Sequence, residues 1–283
     1  MFLAALEPSA NHGVGVAFTD RLGGVSKGSY GSLNLGRTDH DDTAAVVANF
    51  ACVRAELGVS RVATLHQVHS ADVVVIDDDT FPMDRPGGEL GGSAPGGLSL
   101  PVADGMVTRL PGVALCIRIA DCVPVLLADP TAGVVGAAHA GRVGLAAGVL
   151  GATVAAMRAL GAQDITAWIG PHVCGLCYEV PAAMADQIVA VVPETRSTTR
   201  QGTPALDLGA GCEAELARAG VAVRRIGGCT VEDPSLHSHR RDGAGAGRLG
   251  ALVWLTPISW TAPEGVSASS STDPGDARAN LTT

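Results

Sequence analysis

Residues 120–144 read ADCVPVLLADPTAGVVGAAHAGRVG, and this stretch decides the fold. Two apolar runs rich in β-branched residues, 123–127 and 134–138, flank the segment 129–133, whose proline and glycine favour a turn. The order of run, turn and run predicts an antiparallel β-hairpin. A cysteine, Cys122, stands before the first run, and a histidine, His139, follows the second.

The register of this hairpin determines whether Cys122 and His139 meet. If the hairpin closes symmetrically about residues 129–132, Cys122 faces His139 across the two strands. Directly opposed residues have Cα atoms about 4.5 to 5.5 Å apart, which allows a thiolate and an imidazole to bind one zinc ion. A shift of one residue would place the two side chains on opposite faces, so the expectation depends on the register.

A helix is predicted directly after His139, because apolar residues recur at helical spacing from 145 to 156. Gly141 and Gly144 are expected in the turn that begins this helix. The end of a strand, a glycine turn and a helix N-terminus therefore meet beside His139. Such a corner presents free backbone N–H groups and favours an anion such as phosphate.

Composition limits the classes of protein to consider. The chain has 283 residues, a formal net charge of -9 and an isoelectric point near 5.3. This length predicts one domain, at 1–260, which we expect to be a monomer. The acidic charge argues against binding to nucleic acid or to an anionic membrane, and a small molecule remains the expected partner. Seven cysteines, no secretory leader and no credible membrane span predict a reduced, cytoplasmic protein.

Two stretches are expected to lack fixed structure. Residues 77–101 are rich in glycine and proline and show no periodicity, which predicts a mobile loop within the domain. Residues 261–283 contain few large apolar side chains, which predicts a disordered tail.

The other regular elements follow from local patterns. Helices are predicted at 43–58, 181–192 and 206–219, and strands at 13–19, 72–76, 113–119, 221–226 and 250–255. Thr43 is expected to cap the first helix. The mixture of helices and strands predicts an α/β protein.

Two glycine-rich loops carry polar side chains suited to binding. The loop at 20–36 lets the backbone approach a ligand, and Arg21, Ser26 and Asn34 supply polar contacts, although a surface turn fits equally well. The second loop carries the three arginines Arg240, Arg241 and Arg248. Guanidinium groups bind phosphate or carboxylate in bidentate fashion, and a solvated loop is the alternative.

Two further pairs of residues have metal-ligand chemistry. His66 and His69 are three positions apart, and at most one of them is needed as a ligand. Cys174 and Cys177 form a Cys-x-x-Cys motif, which suits zinc or redox chemistry, but the sequence offers no second pair at a matching distance. Thiols that serve as small buried apolar groups are the alternative.

Seven short motifs, in order between residues 15 and 255, resemble the YfiH family, also called the laccase-domain family. The motifs are RLGGVS (21–26), SLNL (32–35), QVH (67–69), ADCVP (120–124), AHAG (138–141), YEV (178–180) and SHRR (238–241). Members of this family have been described as purine nucleoside phosphorylases, as polyphenol oxidases and as peptidoglycan editing factors. The resemblance implies an α/β/β/α layered sandwich with mixed and antiparallel sheets.

The resemblance also implies a catalytic zinc site. Its ligands would be His69, Cys122 and His139, with an open fourth position, so that His69 rather than His66 binds the metal. A copper ion is the alternative. Substrate and phosphate contacts would come from the polar side chains His66, Arg21, Ser26, Asn34, Arg240, Arg241 and Arg248. The implied activity is phosphorolysis of adenosine, inosine, guanosine and methylthioadenosine to base and ribose 1-phosphate, with adenosine deamination in some members.

The chain departs from the family at two points. The family usually continues Ala-Gly-Trp-Arg-Gly, whereas residues 140–144 read AGRVG. This change moves the arginine by one position, to Arg142, and can turn its side chain away from the site. The segment GAGAGR at 243–248 lacks the threonine that the family commonly places there.

Three other functions fit parts of the sequence. Cys122 with His139 as base would make a hydrolase or deamidase, which includes an editing enzyme for peptidoglycan precursors. A copper-dependent polyphenol oxidase needs more histidine ligands than these eight histidines supply in this arrangement. A non-enzymatic partner protein of the envelope or of cell division would hold a structural zinc, for which no fourth ligand lies at an obvious spacing.

Overall fold

The computed structural model of the protein describes residues 1–36, 41–77 and 100–256. Within these ranges the chain forms thirteen strands, which are β1 (Phe2–Leu6), β2 (Val14–Thr19), β3 (Arg61–Ala63), β4 (Val73–Ile76), β5 (Gly105–Thr108), β6 (Val113–Ile119), β7 (Val123–Asp129), β8 (Val134–Ala140), β9 (Thr166–Ile169), β10 (Arg196–Thr198), β11 (Pro204–Leu206), β12 (Ala222–Arg225) and β13 (Leu249–Leu255). Six α-helices accompany them, which are α1 (Thr43–Leu57), α2 (Arg142–Ala146), α3 (Val149–Ala159), α4 (Ala182–Val189), α5 (Leu208–Arg218) and α6 (His239–Asp242).

Most of the strands belong to two mixed sheets. Sheet I has five strands in the order β1-β2-β13-β6-β3, and sheet II has six in the order β12-β9-β7-β8-β5-β4. Neighbouring strands are antiparallel except for the parallel pairs β3–β6, β4–β5 and β9–β12. Strands β10 and β11 form a separate hairpin.

Alternating side chains of β7 show the order of the layers. Val125 and Leu127 pack in a core cluster with residues of α3, α4 and α5, whereas Leu126 and Ala128 pack with residues of sheet I. On the other face of sheet I, Phe50 of α1 packs with residues of β2, β6 and β13. The layers are therefore α1, sheet I, sheet II and the α3–α5 helices, which confirms the α/β/β/α sandwich. Because both faces of β7 are covered, its sequence is apolar from Val123 to Ala128.

The central hairpin forms as predicted, but its register differs from the expected one. Pro124 is the partner of His139, so the predicted pairing of Cys122 with His139 is wrong by two positions. A shift of two residues, unlike a shift of one, keeps side chains on their original face. Cys122 and His139 therefore still lie on the same side of sheet II.

The turn explains this register. Asp129 pairs with Val134, and the four residues between them form the loop. Gly133 has φ of 63°, a conformation that glycine adopts readily, so it belongs to the loop rather than to a strand. Asp129 Oδ1 also accepts a hydrogen bond from the N–H of Ala132 at 3.0 Å, which fixes the end of β7.

Helix α1 follows the prediction except for its cap. It begins at Thr43 and ends before Gly58, as expected. The expected cap at Thr43 is wrong, because Asp42 precedes the helix and its Oδ1 accepts a hydrogen bond from the N–H of Ala44 at 2.9 Å. A carboxylate at this position satisfies a backbone N–H that the helix itself cannot.

The single helix expected after His139 is divided into α2 and α3. Gly148 has φ of 89°, which interrupts the helical backbone between them. Gly144 lies inside α2 and not in the preceding turn, which corrects the expectation from the sequence. The other predicted helices and strands are present with shifted ends. The elements without a counterpart among the predictions are β1, β3, β5, β9, β10, β11 and α6.

Two predictions fall on residues 78–99 and 257–283, which lie outside the described ranges. The mobile loop at 77–101 is almost entirely among them, and so are the tail at 261–283 and the domain boundary at 260. These expectations stay predictions. None of the helices in the described ranges has the length and apolar character needed to span a bilayer.

Candidate metal centre

Two left-handed backbone positions and one strand bring His69, Cys122 and His139 together. His69 has φ of 62°, Asp121 directly before Cys122 has φ of 91°, and His139 lies in β8. Cys122 Sγ is 3.7 Å from His69 Nε2, and the ring centroids of His69 and His139 are 4.8 Å apart. The three potential ligand atoms all lie within 4.8 Å of one another.

The donors and the space in this cluster suit a zinc ion. Zn²⁺ takes thiolate and imidazole ligands at about 2.3 and 2.1 Å, which places them about 3.5 Å apart in a tetrahedron. Gly141 keeps the cluster accessible, since a Cβ there would lie 2.5 Å from His69 Cδ2 and 3.1 Å from Cys122 Sγ. The same geometry includes His69 and leaves out His66.

Asp104 is a buried carboxylate that supports two of the three potential ligands. Its Oδ1 is 2.7 Å from His139 Nδ1, and its Oδ2 accepts hydrogen bonds from the N–H groups of Val68 at 3.0 Å and Ser70 at 2.6 Å. The contact with His139 Nδ1 leaves His139 Nε2 available as a ligand. The hydrogen bonds from Val68 and Ser70 hold the turn that carries His69. The sequence analysis did not identify Asp104. The sequence shows it only as an acidic residue directly before a short apolar segment.

Asp104 is ionised over the whole physiological pH range. Its side chain has no exposed surface, and burial alone raises its pKa. Hydrogen bonds from His139, Ser70 and Val68 outweigh burial and lower the pKa of Asp104 to about 2. A carboxylate on the second nitrogen of a histidine increases the basicity of the ring as a metal ligand.

Cys122 and His139 change each other's protonation. Burial raises the pKa of the Cys122 thiol, but the positive charge of His139 and its hydrogen bond lower it overall. Burial lowers the pKa of His139, but the negative charges of Cys122 and Asp104 raise it overall. The site thus stabilises a thiolate beside a cation, and a divalent metal ion can take the place of the imidazolium proton.

This cluster lies in a cavity of about 660 Å³. His66 also lines the cavity, as do the arginines Arg118, Arg240 and Arg248 and the aromatic ring of Tyr178. Pockets for small molecules typically measure about 300–1,000 Å³ and carry a few convergent polar groups. The volume and the lining are therefore those of a small-molecule site.

The predicted phosphate-binding arginines separate into two pairs. Arg240 and Arg248 line the cavity. The guanidinium carbon of Arg240 is 5.1 Å from the ring centre of Tyr178, which holds this side chain against the wall. Arg248 Nη1 donates to the carbonyl of Ala246 at 2.8 Å.

Arg21 and Arg241 are not among the residues that line the cavity. Arg21 Nη2 donates to the carbonyl of Ser29 at 2.6 Å. Arg241 Nη2 donates to the carbonyl of Leu236 at 2.6 Å and forms an ion pair with Asp242 at 2.8 Å. These contacts place both guanidinium groups where they stabilise loops and not where they meet a ligand of the cavity.

Ser26 and Asn34 are buried near the cavity without lining it. Asn34 Oδ1 accepts a hydrogen bond from the N–H of Arg248 at 2.8 Å. Ser26 Oγ donates to Asp41 Oδ2 at 2.8 Å and accepts from Asn49 Nδ2 at 2.9 Å. Asn34 therefore acts on the site indirectly, because it fixes the main chain of an arginine that does line the cavity.

Arg142, the arginine displaced by one position, begins α2 and does not line the cavity. Val143, which takes the next position, is 49% exposed. This placement agrees with the expectation that the displacement turns the arginine away from the site.

Cys174 and Cys177 belong to a second cluster of potential metal ligands, with Cys229 and Glu232. The sequence offers no second Cys-x-x-Cys pair, and the residues that join this motif in space are one cysteine and one glutamate. Each partner lies 55 positions further along the chain, in another loop, so no local spacing reveals it.

The fold and the first cluster define a class of protein: a mixed α/β sandwich with a Cys–His–His site of metal-binding type in a polar cavity. The family described as "Multi-copper polyphenol oxidoreductase laccase" matches residues 15–256. The chain belongs to this family.

Known proteins agree with this assignment. The chain is 49% identical over 244 residues to "Purine nucleoside phosphorylase ORF3" of Streptomyces griseus, a match that covers 84% of this chain and 93% of the relative. The crystal structure of YlmD from Geobacillus stearothermophilus has a TM-score of 0.76 at 32% identity and covers 89% of this chain and 96% of its own. The crystal structure of the Bacillus licheniformis hypothetical protein YfiH has a TM-score of 0.76 at 28% identity and covers 89% of this chain and 97% of its own. The resemblance to the YfiH family is confirmed.

Proposed function

We propose that this chain is a zinc-dependent purine nucleoside phosphorylase that converts adenosine, inosine, guanosine and methylthioadenosine to base and ribose 1-phosphate, and that it also deaminates adenosine. The observation that carries the proposal is the convergence of the His69, Cys122 and His139 cluster with two arginines in one cavity. The name of the Streptomyces griseus relative supports this choice of substrate.

Arg248 is the best-placed group for phosphate. It is half-buried, and burial lowers the pKa of its guanidinium although the negative charges of Cys122 and Asp121 act in the opposite direction. A phosphate would offset this partly desolvated positive charge through charge-assisted hydrogen bonds. Arg240, on the same cavity wall, supplies a second guanidinium.

The base would lie near Tyr178. Its ring forms a stacked pair with Arg240, and planar groups of this kind suit a purine. Stacking of a base on an aromatic side chain contributes about 1–3 kcal/mol. This contact tolerates different purines, in keeping with several nucleoside substrates.

The reaction requires one bond exchange. A phosphate oxygen bonds to C1′ of the ribose, the bond between C1′ and the purine nitrogen breaks, and that nitrogen receives a proton. When bound, zinc supplies a Lewis acid that polarises an oxygen ligand and lowers the pKa of bound water. Arg240 and Arg248 hold the phosphate, and Asp104 keeps His139 and the turn of His69 in place.

The test is to incubate the purified protein with inosine, with and without phosphate, and to detect hypoxanthine by chromatography. We expect release of base that requires phosphate, that disappears in Cys122→Ala and that persists in Cys52→Ser, whose cysteine lies in α1. Adenosine without phosphate reports deamination separately, as inosine. Zinc-loaded protein that releases no base from any purine nucleoside would refute the phosphorylase.

A second candidate function rests on the lowered pKa of Cys122. A thiolate beside His139 can act as a nucleophile in a hydrolase or deamidase. Alkylation with iodoacetamide separates the two functions. The nucleophile predicts metal-free protein that stays active and loses activity when Cys122 is alkylated, whereas the zinc site predicts that metal removal alone abolishes activity.

A further inference from the structure

The second cluster lies on two loops outside the cavity lining. Cys174 and Cys177 belong to the segment between β9 and α4, and Cys229 and Glu232 to the segment between β12 and α6. Their potential ligand atoms all lie within 4.8 Å of one another. We propose that these four residues bind a structural zinc ion, separate from the His69, Cys122 and His139 site, which ties the two loops together.

The donor atoms lie close enough together to bind one zinc ion. Thiolate ligands of a tetrahedral zinc, each about 2.3 Å from the metal, are about 3.8 Å from one another, so a small contraction closes the cluster. The N–H of Cys174 donates to Cys229 Sγ at 3.3 Å, and the N–H of Leu176 bonds to the sulfur of Cys174. These contacts hold the sulfur atoms of the two loops close to each other.

Glu232 completes the set, and Arg200 balances its charge. Cys177 Sγ is 3.6 Å from Glu232 Oε1. Arg200 forms an ion pair with Glu232, and its Nη1 is 3.9 Å from Cys177 Sγ. Three thiolates and one carboxylate carry more negative charge than one Zn²⁺ neutralises, and Arg200 offsets part of the excess.

Both loops of the cluster connect to the cavity, one directly and one through a hydrogen bond. Tyr178, which follows Cys177, lines the cavity. Thr230, which follows Cys229, donates to Asp121 Oδ1 at 2.6 Å, and Asp121 Oδ2 accepts from the N–H of Arg240 at 2.6 Å. The zinc would therefore fix the loop of Tyr178 relative to the loop of Arg240. Four protein ligands leave no open position, as is typical of structural zinc.

Metal content of the full chain, purified without chelator, tests the proposal by elemental analysis. We expect two zinc equivalents in the wild type, one in Cys122→Ala, one in Cys177→Ser or Cys229→Ser, and none in Cys122→Ala/Cys229→Ser. Cys52→Ser, a cysteine outside both clusters, keeps two. These measurements need no nucleoside, so failure of the phosphorylase activity would leave them unaffected.

Cobalt spectroscopy and a more conservative variant test the second cluster even if a cysteine variant of that cluster does not fold. Cobalt-loaded Cys122→Ala protein should show the absorption of sulfur-to-metal charge transfer, because it keeps the thiols of the second cluster. The Glu232→Gln variant also keeps all three thiols, and in competition with a chelator it should bind zinc at least about 10-fold more weakly than the wild type. Loss of the second zinc should lower the Tm by about 5 °C. A disulfide among Cys174, Cys177 and Cys229 in the native protein, or three freely alkylated thiols with a single zinc equivalent, would overturn the proposal.

Discussion

The two clusters differ in their donors and in their surroundings. The first offers three ligands, His69, Cys122 and His139, within a cavity of about 660 Å³, and its supporting carboxylate, Asp104, is fully buried. The second offers four ligands outside that cavity lining, and its supporting Arg200 is an exposed ion-pair partner. Three ligands with a neighbouring space are typical of catalytic zinc, and four are typical of structural zinc. The comparison shows that ligand number, donor type and burial of the supporting group all separate the two sites.

The largest expected difference between the sites concerns catalysis. Cys122→Ala removes a ligand inside the cavity and should lower kcat/KM for inosine phosphorolysis by about 10³-fold or more, because the metal contributes several kcal/mol to the transition state. Cys177→Ala leaves the cavity ligands in place and should lower it less than about 10-fold. Steady-state kinetics on both variants measure the contrast. Equal losses would show that the two clusters do not have separate roles.

The next largest expected difference is in zinc affinity, when the side chain that supports each cluster is changed. Asp104→Asn keeps the size of the side chain but removes the charge that orients His139, and zinc affinity at the first site should fall by about 10–100-fold. Arg200→Gln removes an exposed ion pair, worth about 0–1 kcal/mol, so zinc affinity at the second site should fall less than about 5-fold. Chelator competition measures both affinities. A larger effect from Arg200→Gln would reverse the proposed order.

Asp104 should also make the stability of the metal-free protein depend on pH. Its pKa in the folded protein is about 2, below the ordinary value of 3.8. A lowered pKa contributes stability that is complete above the unfolded value and is lost as the pH falls towards 2; this contribution is about 2 kcal/mol.

Urea unfolding of the wild type and of Asp104→Asn, in the presence of chelator, measures this contribution. The advantage of the wild type should be largest near about pH 5 to 6 and shrink below about pH 4. It should shrink again at alkaline pH, because Asp104 raises the pKa of His139 and this contribution is lost when His139 is deprotonated. An advantage that does not change with pH would contradict the role of the buried carboxylate. Glu232 is exposed, and its pKa is lowered chiefly by its hydrogen bond from Arg200, so Glu232→Gln should show a smaller pH dependence in this range.

The smallest effects are expected from two glycine variants, one in each site. A Cβ at Gly141 would approach His69 Cδ2 to 2.5 Å, and a Cβ at Gly175 would approach Ser197 Oγ to 2.6 Å. Each alanine variant should lower the free energy of unfolding by about 1 kcal/mol, as moderate overpacking does. Zinc content should fall only at the site that contains the substitution. If Gly141→Ala keeps full occupancy at the first site, the space at that site is larger than the contacts indicate.

The comparison of the two sites also shows what local sequence patterns reveal. The hairpin, α1 and the later helices were predictable, because alternation, helical spacing and turn residues act over a few neighbouring positions. Cys122 and His139 could be placed on the same side of the hairpin for the same reason, although their direct pairing was wrong and His69 required the resemblance to a family. Even within the hairpin, the loop conformation of Gly133 moved the register by two positions.

Contacts between distant loops were beyond reach of these patterns. Asp104 joins the turn of His69 to His139, and Cys229 joins Cys174 from 55 positions away. The cavity-facing arginines could not be told from Arg21 and Arg241, because all of them lie in polar loops.

Local patterns in the amino-acid sequence determined the α/β class and the hairpin that carries Cys122 and His139, since alternation and helical spacing act over neighbouring residues. The layered order of the sheets and the choice of His69 came from the resemblance to a family. The tertiary structure alone decided which polar groups support those donors, which arginines face the cavity and which residues complete the second cluster. The physical reason is that hydrogen bonds, ligand distances and charge pairing depend on where packed loops bring atoms together, and no short stretch of the chain encodes that position.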